Sequence, residues 1–440
     1  MGNGAERGWR GASSTTPLAQ LWAGDLCVEH ADDTLTISVL LEWETPPEHL
    51  PPHPDRRLRI EVSDLDRLGG DRRNLLAAHT PASATSLVPL LAVIAATTGA
   101  DLTIEAPVCP TSLAAARQAI AVGQARHGWA AVTLGATAGA TGPPRREGAG
   151  REGAGREGEG LVFSLGIEPL AALVELRKIG RPATHLLAVD GVGPRAARSP
   201  SGYLPPTGAG AATLAPRSWR TEVMAANAAR LPLVRATTNA RELGLPDMTT
   251  TIAEQAGTAA CALALAGVVG SITLPGTRSA ATSVWPDSAS LWSSAAVDLR
   301  TAAPTSAIDA STLVATSPWA LQWLRVCPYA GGEGNCGVCS PCQFTLATLW
   351  IAGLPATALH AFDHAVDPNV VRALPPANHQ DPQRRQDHLD LISALAAVAG
   401  GSGGERAVAP HDDRLLAAAL ADAWTTHLER AATGTHALSA

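Results

Sequence analysis

Apolar and polar residues alternate along 34–43 (TLTISVLLEW) and 57–65 (RLRIEVSDL), the period-two pattern of strands. Residues 85–99 (TSLVPLLAVIAATTG) read as a helix, 100–108 (ADLTIEAPV) as a strand and 110–125 (PTSLAAARQAIAVGQA) as a second helix. These elements form a small α+β unit. After residue 160, strand and helix patterns alternate: LVFS (161–164), PLAALVELRKIG (169–180), ATHLLAVD (183–190), WRTEVMAANAARL (219–231), PLVRATT (232–238), TTTIAEQAGTAACALALAG (249–267) and GSITLPG (270–276). Such alternation predicts an α/β unit with right-handed crossovers and a parallel sheet carrying helices on both faces. In sheets of this kind, ligands bind beyond the carboxyl ends of the strands. The last quarter holds apolar residues at three- and four-residue spacing, in HLDLISALAAVA (388–399) and DRLLAAALADAWTTHLERAA (413–432). These helices, with CQFTLATLWIAGL (342–354), are expected to complete a core or to meet a second copy or a partner protein.

The pattern stops between Gly135 and Gly160, where the unit REGAG recurs every five residues and nothing can build a core. Weaker breaks fall at Ser199–Ala212 and Ala399–Ala409. The chain therefore divides into an N-terminal α+β domain (1–134), a solvated linker (135–160), an α/β domain (161–316), a four-cysteine segment (317–354) and a helical C-terminal region (355–440).

With 440 residues and 46% apolar content the chain can fill two or three cores, and with 4% aromatics those cores rely on small, close-packed side chains. The most apolar stretch, CALALAGVVGSITLPG (261–276), is too short to span a bilayer. The first thirty residues lack an export signal, so a cytoplasmic location is expected. A net charge of −7 opposes nucleic acid and favours a small-molecule or protein substrate.

Four of the seven cysteines, Cys327, Cys336, Cys339 and Cys342, fall in CPYAGGEGNCGVCSPC. Converging four thiolates on one ion needs tight turns, which Gly331, Gly332, Gly334, Gly337 and Pro341 supply. Zinc is the favoured ion; an iron–sulfur cluster and a pair of disulfides are the alternatives, the latter needing an oxidising compartment. Four thiolates leave no coordination position for water, so the expected zinc is structural, contributing on the order of 10 kcal/mol to local folding.

A second candidate site follows the strand at 161–164, where Ser164, Leu165, Gly166 and Glu168 lead into a helix. A glycine-containing turn at a helix N-terminus offers backbone N–H groups and the positive end of the helix dipole to an anion. Asp190, ending the strand 183–190, is placed to meet a ribose or adenine, or to act as a turn former. The rim at 275–292 carries Arg278 and Asp287 as its charged residues. His185 reads as a residue of a strand face and Cys261 as a buried hydrophobe, and Cys27 and Cys109 have no basic neighbour marking a nucleophile. No catalytic residue is assigned.

Residues 161 to 350 resemble the PP-loop ATP pyrophosphatases, and within them the 7-cyano-7-deazaguanine synthase-like branch. Ser164-Leu165-Gly166-Ile167-Glu168-Pro169 stands where that family has S-G-G-x-D-S, and the LRVC run with NCGVCSPC is similar to its zinc segment. GADLTIEAPVCPTSL (99–113) is similar to the N-terminal domain of its uncharacterised bacterial members. The resemblance implies ATP-dependent adenylation of a carboxylate or similar oxygen, with release of pyrophosphate and attack by a nitrogen nucleophile. It also implies Mg²⁺ held through Glu168. The departures cut the other way: where the family has glycine, Leu165 has a branched side chain expected to crowd a phosphate approaching the backbone, and Pro169 has neither hydroxyl nor N–H. Each hydrogen bond lost to a charged oxygen costs roughly 1.5–3 kcal/mol. The alternative is a catalytically inactive relative that serves as a zinc-stabilised binding or scaffolding subunit.

Overall fold

Strands from both sides of the REGAG repeat pair into one sheet. A computed structural model describes residues 19–44, 56–79, 83–138, 158–192, 219–240, 243, 251–276, 289–302, 306–327, 334–354, 361–374, 382–400 and 411–437. In chain order these residues form β1 (Ala19–Ala31), β2 (Thr34–Trp43), β3 (Arg57–Ser63), α1 (Asp71–Ala78), α2 (Val88–Thr98), β4 (Ala100–Val108), α3 (Pro110–His127) and β5 (Leu134–Ala138). They continue as β6 (Gly158–Val162), α4 (Ile167–Lys178), β7 (His185–Asp190), α5 (Arg220–Ala229), β8 (Leu233–Thr238), α6 (Thr251–Leu263), β9 (Val269–Pro275) and β10 (Asp298–Ala302). Helices α7 (Ala307–Ala315), α8 (Pro318–Trp323), α9 (Ser340–Ile351), α10 (Pro368–Ala373), α11 (Pro382–Ala399) and α12 (His411–Ala437) follow.

The sheet has ten strands in the order β10-β9-β6-β7-β8-β3-β2-β1-β4-β5. Pairing is parallel from β10 to β8 and from β1 through β4 to β5, and antiparallel where β1, β2, β3 and β8 meet in turn. The α/β expectation therefore holds, with a larger sheet than the two separate units suggested. Residues 135–138 and 158–160, assigned to the linker from sequence, lie in β5 and β6. The REGAG run between them falls outside the described residues, as do most of the breaks at 199–212 and 399–409.

Alternation dictates which face each strand buries. Leu35, Ile37, Val39 and Leu41 of β2 and Leu58, Ile60 and Val62 of β3 are buried in one core beneath α2 and α6. Helix α2 is buried from Val88 through Ala96, as a helix apolar on all sides must be, and α6 meets the same core through Ala256, Ala259, Ala260 and Cys261. A 3-10 turn at Ala84–Leu87 precedes α2 in place of the single helix expected over 85–99, because Ser83 caps the turn and Pro89 sits in the first turn of α2. On the opposite face, α4, α5 and α7–α12 enclose a second core around Leu161, Phe163, Leu170, Leu173 and Trp424.

Three strands, β1, β5 and β10, lie outside the segments read as strands from sequence. In β1 the register shifts between Gly24 and Cys27, and Asp25 takes a left-handed φ of 46°, so its alternation is broken by a bulge. Strands β5 and β10 span five residues each, too few for a pattern to stand out.

Candidate metal centre and adjoining loop

Counted from β6, the strands β8-β7-β6-β9-β10 stand in the order 3-2-1-4-5. Helix α4, which follows β6, packs in the second core, whereas α6, which carries the chain from β8 to β9, packs in the first. The connections therefore diverge at β6, which makes its carboxyl end a topological switch point. Segment 163–168 lies there, and the four cysteines lie beside it.

Cys327 ends the irregular segment after α8, Cys336 directly precedes a bend at 337–339, Cys339 is the N-cap residue of α9 and Cys342 is in its first turn. The Cys336 and Cys342 sulfurs are 3.9 Å apart, as are those of Cys339 and Cys327. All four sulfurs lie within 4.8 Å of one another. A tetrahedral ion with metal–sulfur bonds of ~2.3 Å has sulfur–sulfur edges of about 3.8 Å. A disulfide needs about 2.05 Å, and all four thiols are free. A multi-iron cluster divides the thiolates among two or four irons, and thiolates on different irons stand further apart than the 4.8 Å within which all four of these sulfurs lie. The quartet could hold one metal ion such as zinc.

Hydrogen bonds between the four thiols shift them in opposite directions. Those from Cys327, Cys339 and Cys342 drive the Cys336 thiol far down, stabilising a thiolate. The Cys336 sulfur raises Cys327 while Cys339 and Cys342 lower it, and the balance leaves Cys327 at about 6. Cys339 and Cys342 are pushed up, first by Cys327.

Two buried amides hold this geometry. Asn335 Oδ1 accepts from the Val326 N–H (2.7 Å) and the Cys327 N–H (3.2 Å). Its Nδ2 donates to Leu324 O (2.9 Å) and Ala361 O (2.8 Å). Gln343 Oε1 accepts from the Asp367 N–H (3.0 Å), and its Nε2 donates to Ala365 O (3.1 Å) and to Gly337 O. Gly337 takes φ +70°, and a Cβ there would stand 2.7 Å from His364 N, so the turn between Cys336 and Cys339 excludes any side chain. Neither amide was singled out from sequence. The signals were weak ones: Asn335 directly precedes a cysteine, and Gln343 interrupts an apolar helix.

At the loop, Gly166 is the N-cap residue of α4 and its N–H donates to Ser164 Oγ at 3.4 Å. Leu165, expected to crowd a phosphate, is buried in the second core with Cys327, Cys339 and Cys342. Its carbonyl accepts from the Arg325 N–H at 2.7 Å, which joins the loop to the segment leading into Cys327. Glu168 turns its Oε2 towards Gly166, 3.8 Å from where a Cβ would stand. Pro169, in the first turn, contributes no donor.

Asp190 is exposed at the carboxyl end of β7, and its Oδ1 accepts from the Gly191 N–H at 2.7 Å, the geometry of a turn former. Arg278 and Asp287 lie outside the described residues. His185 sits on the face of β7, its Nε2 3.4 Å from Asp71 and its Nδ1 2.9 Å from Thr184 Oγ1, and burial pushes its pKa down. Burial pushes Cys261 up to about 12, which fits a packing role. Cys27 and Cys109 stand apart from the quartet. Comparison with known protein families, with curated proteins and with solved structures finds no match to this chain.

Proposed function

We propose that this chain binds ATP at segment 164–168 and activates a carboxylate or similar oxygen as its adenylate. The observation that carries this reading is the Ser164–Glu168 turn, which enters a twelve-residue helix at the switch point of a 3-2-1-4-5 parallel array. In the proposed reaction the substrate oxygen attacks the α-phosphorus and pyrophosphate leaves. A nitrogen nucleophile such as ammonia then attacks the activated carbon and AMP leaves. This chain would act by positioning and charge: Ser164 and the backbone at Gly166 and Ile167 against the phosphate chain, and Glu168 holding Mg²⁺, which would neutralise the phosphate oxygens. Asp190, at the end of the neighbouring strand, would meet the nucleoside. The quartet would hold structural zinc, since four thiolates leave no open position.

A second reading is a scaffold or binding subunit that has lost ATP. Two observations favour it: the Gly166 N–H is already taken by Ser164 Oγ, and Pro169 offers no donor. Thermal unfolding with and without millimolar Mg-ATP separates the two. Binding at a hundredfold excess over Kd stabilises by ~2.7 kcal/mol. The adenylation reading therefore expects an upward shift of Tm, then pyrophosphate release when the matching acid is added. An unchanged Tm contradicts it and supports the scaffold.

A further inference from the structure

Asn335 is 1% exposed and makes four hydrogen bonds through one side chain. Two of them, to Leu324 O and the Val326 N–H, flank Arg325 in the chain. With its neighbours held on both sides, the Arg325 backbone is fixed so that its N–H meets Leu165 O. Cys327, the next partner of Asn335, is a member of the thiolate quartet, and Asn335 itself precedes Cys336. One amide thus stands between the ion site and the loop at the switch point.

We propose that Asn335 is a positioning residue for segment 164–168: with the ion bound by the thiolates, it clamps segment 324–327 and so sets the position of the Leu165 backbone. The loop then depends on metal occupancy through a backbone hydrogen bond, although none of its own residues is a ligand. The alternative is that Asn335 merely fills a buried polar site and supports overall stability. The inference rests on the thiolates holding an ion and is independent of nucleotide binding.

The test reads amide exchange at Gly166 and Leu170, the donors to Ser164 Oγ and Gly166 O within the loop and first turn of α4. Co²⁺ in place of zinc provides visible bands that report four-thiolate coordination independently of the loop. In Asn335→Ala loaded with Co²⁺, those bands are expected to persist while Gly166 and Leu170 exchange about tenfold faster and α3 keeps its protection. Chelation of the native protein is expected to loosen the same two amides. Arg325→Pro removes the one N–H in question and leaves Asn335 and the thiolates in place. Leu324, at φ −59° and ψ 124°, already has the backbone that precedes proline. This variant is expected to keep its metal and lose loop protection, whereas Arg325→Ala, which retains the N–H, keeps both. Native exchange at Gly166 and Leu170 in Arg325→Pro overturns the proposal. So does a uniform rise that includes α3 in Asn335→Ala. Should Asn335→Ala fail to fold, the proline and alanine pair at 325 and the chelation arm decide. A loop left unchanged by chelation, with the Co²⁺ bands present beforehand, refutes the coupling while leaving the metal site intact.

Discussion

Replacing Cys342 with serine is expected to release the bound ion and to destabilise the second core by at least ~3 kcal/mol, a fraction of the ~10 kcal/mol that a structural zinc site contributes. Cys342 is fully buried in the first turn of α9, and its sulfur is 3.9 Å from that of Cys336. Serine is a poor ligand for zinc, and the three remaining thiolates would face one another in a site from which water is largely excluded. Unlike a surface substitution, the change propagates, because Cys327, Cys339 and Cys342 pack with Leu165 and Leu346 in one cluster. Metal content measured alongside denaturant unfolding checks this. The expected result is less than one equivalent of zinc together with a lower midpoint. A variant with full metal content and native stability contradicts a four-thiolate ion.

The second large effect lies at the mouth of the sheet. Gly191, which follows β7, takes φ +82°, and a Cβ there would stand 2.0 Å from Thr238 O and 3.0 Å from Thr238 C. Left-handed backbone alone costs a residue with a side chain roughly 1–2 kcal/mol. The overlap is with backbone, which cannot swing aside as a side chain would, so the ends of β7 and β8 must part. Gly191→Ala is expected to cost about 3 kcal/mol or more while leaving metal content unchanged. Equilibrium unfolding in urea measures it, and a native midpoint contradicts the close approach of the two strand ends. Since Asp190 adjoins this glycine, the same variant displaces the carboxylate proposed to meet the nucleoside.

Much of the parallel array was legible because its strands and helices differ in period and are bounded by breakers, as in ATHLLAVD followed by Gly191. The quartet was legible because cysteines at close spacing between glycines have few other uses. What stayed hidden depends on partners remote in the chain. The pairing of β3 with β8, which joins the two halves into one sheet, is made by backbone groups that every residue carries, so Ile60 facing Thr238 leaves no mark in the sequence. Strand β1 was obscured by its own bulge at Gly24 to Cys27. Asn335 and Gln343 look like any polar residue until the carbonyls and N–H groups of 324–327 and 361–367 are brought to them. Leu165 read as an obstruction because its burial depends on the cysteine segment folding over it.

The central claim is that four thiolates share one ion and thereby fix the segment that meets the loop after β6. X-ray absorption at the metal edge of the protein as purified tests it most directly. The account predicts one zinc with four sulfur neighbours at about 2.3 Å and no nitrogen, oxygen or second metal in its shell. Fewer than four sulfurs, or a metal–metal distance marking a cluster, contradicts it.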